Sequence, residues 1–536
     1  MWAYLQIHSR IQVWLGMEYV PEQLVDCGRE MKSIQAPTHR VPEEILYCIF
    51  SMCCEGGTEF ELPGRVLGDI PVPFTLSMVC THWREVAISS EILWSNMQFT
   101  FRLAGDSDEE STRDSGEETE SERCLRVVEM FLERAGGSLL SLSFGMLDRI
   151  EITNTIECIL YALCRRASQW GSVSFSAPSP SFIRQPAFQL ITGNLRNLHT
   201  ILVDEFNDEN DPNVPLTLDF LGPCPALRKA KLDLVIERPG GSQTLPIPWA
   251  QLTSLNLCAD APAPSQILLL CSSLINLELG RVGGYAGGVW DTVMPTLRSL
   301  KVDMTSSNGS SAVFPHFFQI FTFPQLTSLD LRSWSEHSED DLACLAGFFQ
   351  RLSPSLTTLT LCCALEGAYV FRLLQLLPHL TSLHLIGKYP YPNPKPLRTL
   401  SVFPHLKASS SEPSNSILPH LLYLKISVTS ISVEIEDYEP FVDVVRSRWI
   451  PDPELATELG VDCLRSVELL FLDKATYLPR PLAKLEILRD AGLRVILPML
   501  PLGACREYIT IGGRRFQCMT SEVFSFSAFA TIPKTT

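Results

Sequence analysis

Ten histidines are spread along the 536 residues, and the tightest group, His379 and His384, lacks the glutamate and the i, i+4 spacing with which a helix holds catalytic zinc. The glycine cluster GGYAGG from Gly283 to Gly288 has no following GKS or GKT and no preceding strand of the nucleotide-binding type. It reads as an inter-repeat loop. No G-x-S-x-G elbow, C-x-x-C pair or paired-carboxylate motif stands out. The 17 cysteines, an odd number, fit neither a disulfide framework nor a zinc site, and small buried thiols are expected. Ser107, Ser111 and Ser115 each have an acid three residues on, a pattern that suits an acidophilic kinase or a plain solvated spacer. These residues point away from catalysis: no enzymatic activity, cofactor or metal is expected.

The chain is 46% hydrophobic and long enough for two or more folded units. No uncharged apolar run reaches 18 residues, so no membrane span is expected, and residues 1–20 lack the basic and apolar blocks of a secretory leader. An intracellular, soluble protein, cytoplasmic or nuclear, is the expectation. A net charge of -17 argues against nucleic acid as a partner, because phosphate contacts need clustered Lys and Arg. Much of that charge is local: the stretch from Asp106 to Glu122 holds nine acids against Arg113 alone. It contains no apolar residue and is expected to be a disordered linker dividing two units.

C-terminal to it, L-x-x-L-x-L recurs as LTSLNL from Leu252, LINLEL from Leu274, LRSLKV from Leu297, LTSLDL from Leu326, LTTLTL from Leu356 and LTSLHL from Leu380. The starts are 22, 23, 29, 30 and 24 residues apart. Weaker copies begin at Leu139, Trp170, Leu198, Leu227, Leu421 and Leu464, making twelve candidate units. In each, L-x-L is a short strand with its two Leu pointing inward; one unit cannot bury its own apolar face, but units stacked in register share a continuous core. The intervening segments Asp341 to Leu352 and Tyr369 to Leu377 suit helices on the outer side. The expected fold class is α/β: an irregular leucine-rich repeat solenoid, with a parallel sheet and helices outside, preceded by a small all-α module. Regular leucine-rich repeats carry Asn or Cys three residues after the last Leu, and here those positions are Asp260, Val282, Thr305, Trp334, Ala364 and Lys388. Uneven turns are therefore expected, with the insert from Ser409 to Ser416 in a loop.

Before the acidic run, VPEEILYCIF from Val41 places Pro42, Glu43 and Glu44 at a helix start and Ile45, Leu46, Ile49 and Phe50 in one apolar stripe. After an insert come L-x-x-V-C-x-x-W-R-x-x-A from Leu76 and EILW from Glu91, implying two or three short helices. Pro42, Glu44, Ile45, Leu46, Ile49, Phe50, Val79, Cys80, Trp83, Arg84, Ala87, Leu93 and Trp94 together resemble an F-box. Two departures stand: Val41 replaces the usual Leu, and residues 55–72 lengthen the first loop. RVVEMFLERAG from Arg126, SRW from Ser447 and LRSVEL from Leu464 are similar to segments of fungal F-box-like leucine-rich proteins.

The resemblance implies an adaptor that docks on the Skp subunit of a cullin-based SCF ubiquitin ligase and presents a protein target. The docking residues expected are Pro42, Ile45, Leu46, Ile49, Phe50, Val79, Trp83, Leu93 and Trp94. The target is expected on the concave sheet face, at the residues alternating with inward Leu: Asn256, Glu278, Lys301, Asp330, Arg332, Thr360, His384, Tyr423 and Lys425. The expected boundaries are an extension over 1–38, the helical module over 39–101, the linker over 102–123, the solenoid over 124–500 and a tail over 501–536. The alternative left open is a protein-binding scaffold outside any ligase, with the module as a structural cap.

Overall fold

The computed structural model describes residues 41–62, 70–101, 120–146, 152–204, 218–234, 246–259, 263–280, 292–303, 318–319, 321–333, 339–352, 354–363, 367–387, 402–408, 417–428, 438–471, 480–497, 507–511 and 514–518. The expected linker over 102–119, the insert over 409–416 and the six positions after the repeat strands lie outside these residues. The chain forms two compact units, Met1–Phe323 and Pro324–Thr536.

Among the described residues the first unit carries nine parallel strands in its main sheet: β1 (Thr58–Leu62), β2 (Asn96–Phe101), β3 (Leu140–Met146), β4 (Trp170–Ser176), β5 (Thr200–Asp204), β6 (Lys229–Leu234), β7 (Ser254–Ala259), β8 (Asn276–Gly280) and β9 (Ser299–Asp303). The second carries six: β10 (Ser328–Ser333), β11 (Thr358–Cys363), β12 (Ser382–Gly387), β13 (Tyr423–Val428), β14 (Ser466–Phe471) and β15 (Arg494–Ile496). Within each unit every strand so labelled pairs with the next, as stacked repeats require, while Thr292–Val293 and Phe321–Thr322 form a separate short parallel pair. The fold is therefore α/β with parallel strands. Glu507–Ile511 and Arg514–Cys518, within the expected tail, form a separate antiparallel pair.

Period-two patterning puts one residue of each pair inside. Leu255, Leu277 and Leu300 align across β7, β8 and β9, and Leu329, Leu359, Leu383 and Leu424 across β10 to β13; all are buried. The helical segments pack on this apolar side. Helices α6 (Glu339–Leu352) and α7 (Gly367–Gln375) occupy the places expected for returning helices and bury Leu345, Phe348, Phe349, Val370, Leu373 and Leu374. Helix α5 (Asn154–Cys164), between β3 and β4, buries Ile156, Ile159, Leu160 and Leu163 in the same way.

A backbone ladder runs along the sheet where each strand begins. The carbonyl of the residue directly after the anchoring Leu accepts two successive N–H groups of the next repeat: Thr253 O from Ile275 and Asn276, Thr357 O from Thr381 and Ser382, Thr381 O from Leu422 and Tyr423. Where that residue is Thr, its hydroxyl adds a third donor to the previous carbonyl, as from Thr253 to Arg228 O (3.2 Å) and from Thr381 to Thr357 O (3.1 Å). This gives the recurrent L-T-S-L a reason: Thr satisfies backbone between repeats.

The expected division at the acidic run does not hold. Strand β2 lies before the run and β3 after it, yet they pair directly from Asn96↔Ser141 to Phe101↔Met146. The insert read as a lengthened loop contains β1, whose Thr-Glu-Phe-Glu-Leu alternation pairs in parallel with β2. Phe60, Phe99, Phe144 and Phe175 stack in sequence across β1 to β4, with centroids 5.1, 5.6 and 5.3 Å apart and planes within 15–17°. The N-terminal module is thus built into the same sheet as the repeats, and the acidic run interrupts a continuous core. Helix α4 (Glu120–Arg134) also begins inside the expected linker.

In the second unit, α8 (Tyr438–Arg448) ends on a fully buried cation. Arg448 donates to the carbonyls of Leu406, Ile417 and Leu418 (Nη1 to Leu418, 2.8 Å), and Ser447 Oγ accepts from Ala408 N–H at 3.1 Å. The SRW segment is accordingly a pin for the backbone on both sides of the insert. Burial pushes the guanidinium down to about 10, still protonated at neutral pH.

Candidate functional site

Three short helices build the N-terminal module: α1 (Glu43–Cys53), α2 (Val72–Ser77) and α3 (Thr81–Ser89), with a single 3-10 turn over Glu91–Trp94. Pro42 precedes α1 and Glu43 and Glu44 sit at its positive end. Cys80 Sγ accepts from Trp83 N–H at 3.4 Å and so caps α3. Arg84 Nε donates to Ser77 O at 3.0 Å, tying α3 to α2.

Phe50, Phe60, Phe74 and Trp94 point into the core of the module. Trp94 is fully buried, donates from Nε1 to Ala87 O at 2.8 Å, and meets Phe131 of α4 edge-on at 5.0 Å. Phe74 and Phe60 also meet Phe131 edge-on, and the Arg134 guanidinium covers the Trp94 ring at 4.4 Å. Phe50 touches Trp83 at 4.9 Å. Glu91 accepts from Gly137 N–H (3.1 Å) and Ser138 Oγ (3.2 Å) at the end of α4. Gly136 there has φ of 52°, and a Cβ on it would meet the Glu91 carboxylate.

This corrects the expected docking set. Leu46, Phe50, Leu93 and Trp94 are core residues, closed off by α3, α4 and the sheet, and are not available on the surface. Trp83 is half-buried. Pro42, Ile45, Ile49 and Val79 are exposed, Ile45 at 51% and Val79 at 54%. The apolar stripe of α1 therefore divides: Leu46 and Phe50 turn inward, while Ile45 and Ile49 turn about 100° away, joined by Met52 at i+7. Met52, Tyr47, Val72, Ile88 and Ile92 are further exposed apolar residues outside the expected set; the i, i+4, i+7 spacing of Ile45, Ile49 and Met52 is the sequence signal for the outer stripe. Of the 17 exposed large apolar residues in the described chain, eight fall within residues 41–94. Scattered exposed apolar side chains are ordinary, but this concentration marks a surface suited to a partner.

The second set lies where alternation placed it, on the open side of the sheet opposite the helices. Asn256, Glu278 and Lys301 occupy one register row of the first unit. Asp330, Thr360, His384 and Lys425 occupy one row of the second, continued by Glu468. Tyr423 and Arg332 stand two residues to either side. The charged members bind one another or a neighbour: Lys301 pairs with Glu278, Arg332 Nη2 with Asp330 at 2.9 Å and Lys425 with Glu468 at 3.1 Å; outside the set, Lys231 pairs with Asp204 at 2.6 Å. His384 Nε2 lies 2.9 Å from the hydroxyl of buried Ser427; burial, and then the Lys425 ammonium, push its imidazole down to about 4.

Among the described residues no group of three His, Cys, Asp or Glu is placed to hold a metal ion, and no helix is long and apolar enough to cross a membrane. Burial pushes the Cys54 and Cys224 thiols up to about 11 and those of Cys164 and Cys271 to about 12, so all four stay protonated at neutral pH. No protein-family model matches the chain, and no curated protein matches it.

Proposed function

We propose that the chain is a non-enzymatic adaptor of the F-box type, docking through its N-terminal module on the Skp subunit of a cullin-based ubiquitin ligase and presenting a protein target on the open sheet face. Such an adaptor raises the effective concentration of its target near a transfer enzyme and performs no covalent step itself. The observation that carries the reading is the exposed apolar stripe Ile45, Ile49 and Met52 on α1, set beside buried Leu46 and Phe50 in a segment with F-box-like spacing. A helix that completes its own fold with one stripe and offers another to solvent is suited to a partner groove.

Capture of a purified Skp-type adaptor by the full chain, compared with the Ile45→Asp/Ile49→Asp variant, tests this. Both positions are exposed, so the melting temperature should stay close to the parent value while capture is lost. Failure of the parent to capture the adaptor, or equal capture by the variant, would remove the docking reading. A second reading has its own support: β1, β2 and the stacked phenylalanines make the module the first layer of the sheet, as a cap on a scaffold would be. Stable partners recovered without Skp or cullin would favour it.

A further inference from the structure

The nine residues expected to face a target fall into two chemical groups. In the second unit, Asp330 and Arg332 neutralise each other along β10, and Lys425 is held by Glu468 across β13 and β14. In the first unit Glu278 and Lys301 are matched in the same way across β8 and β9. Cross-strand pairs of this kind hold adjacent strands in register, and a cation already bound to a carboxylate offers little to an incoming anion. The other hydrogen-bonding groups on this face of the described central strands of the second unit are uncharged: Ser328, Thr358, Thr360, Ser382, Tyr423 and Ser466, with His384, whose Nε2 is shared with Ser427. Arg494, on the last strand, stands outside this central set. Tyr423 is the exposed aromatic among them, at 44%, with Ser382 and Ser466 as its register partners.

We infer that the open face of the second unit receives an uncharged, unphosphorylated polypeptide segment through Tyr423, Thr360 and His384, while Lys425 and Glu468 fasten neighbouring strands and Asp330 and Arg332 neutralise each other along one strand. The inference rests on the target-presenting reading above. Tyrosine supplies a rigid apolar face with a polar tip, a common centre of binding energy, and hydroxyl and imidazole groups answer peptide N–H and C=O without demanding charge. A phosphorylated segment would need an uncommitted guanidinium or ammonium where these strands hold matched pairs.

The test applies the full chain to two degenerate peptide libraries, alike except for serine or phosphoserine at the central position, and to an array of neutral glycans, with Skp capture measured in parallel. Retention should favour the serine library and change by less than about twofold between about 0.05 M and about 0.5 M salt, since screening acts chiefly on charged contacts. Tyr423→Ala should weaken retention by about tenfold or more. The paired reversal Lys425→Glu with Glu468→Lys should leave it unchanged. Preference for phosphoserine, steep salt dependence, indifference to Tyr423→Ala, or retention on glycans alone would overturn the inference. So would retention on neither library with Skp capture intact, which leaves the docking reading standing; peptide retention with no Skp capture does the reverse.

Discussion

The N-terminal module and the open face of the second unit show opposite relations between residue type and availability. In the module two of the aromatic residues that carry the F-box resemblance, Phe50 and Trp94, are consumed by the fold, and what reaches solvent is mostly aliphatic: Ile45, Ile49, Val79, Ile88 and Ile92, beside Tyr47 and Met52. On the central strands of the sheet face the charged residues reach solvent but are consumed by each other, and what remains there is neutral and polar. In both places the residues most conspicuous in the sequence serve architecture, and the less conspicuous ones between them are left for a partner.

The largest effect should come from treating a core aromatic as if it were a docking residue. Trp94→Ala removes the ring between Phe74, Phe131 and Arg134 and the bond to Ala87 O, and a loss of about 3–5 kcal/mol is expected. Because Phe131 belongs to the helix that follows the acidic run, the loss should appear in the melting of the first unit as a whole and not in the module alone. Ile45→Ala, at an exposed position, should change stability by no more than about 0.5 kcal/mol. Equal effects from the two would erase the distinction between inner and outer stripes.

A middle-sized effect should separate pinning from packing in the second unit. Arg448→Leu keeps apolar volume and relieves the burial of a charge, yet leaves the carbonyls of Leu406, Ile417 and Leu418 without their donor. A net loss of about 1–3 kcal/mol is expected. Amide exchange should quicken at residues 402–408 and 417–421, with α7 and β11 unaffected. Uniform loosening of the unit would show that Arg448 acts by filling space.

Much of this was legible beforehand because period-two alternation with Leu admits one placement of the inner face. The residues of the open face, the strands of the six clear repeats and the helices near Asp341 and Tyr369 follow from it. The linker reading was misled by composition: a run without apolar residues can join neighbouring strands of one sheet as readily as two separate units. The signal against it lay in TEFEL and NMQFTF, whose alternating phenylalanines continue those of LLSLSF and WGSVSF. The split of the α1 stripe was not legible, because two adjacent apolar stripes on a helix look like one wide stripe until their packing partners are known. The ion pairs were hidden for a related reason: Lys301 and Glu278 are 23 residues apart and meet only through register.

The smallest effect concerns His384. Its folded value of about 4 lies below the usual 6.5, so between these values the unfolded chain takes up a proton that the folded chain refuses. The stability associated with the neutral ring is therefore present above pH 6.5 and is lost as the pH falls toward about 4. Lys425 and Arg332 push in this direction; Asp330 and Glu468 oppose it, and burial is the largest cause. His384→Gln keeps a side chain able to reach the Ser427 hydroxyl but removes the titration. Melting temperatures followed from neutral pH down to about pH 4.5 should fall more for the parent than for this variant, the carboxylates of the face being common to both. The same acidification should weaken peptide retention in the parent, because a protonated ring beside Lys425 adds charge to a face otherwise neutral. Parallel melting curves would mean that the imidazole is not held neutral by its surroundings, and would withdraw it from the uncharged set that distinguishes this face from the module.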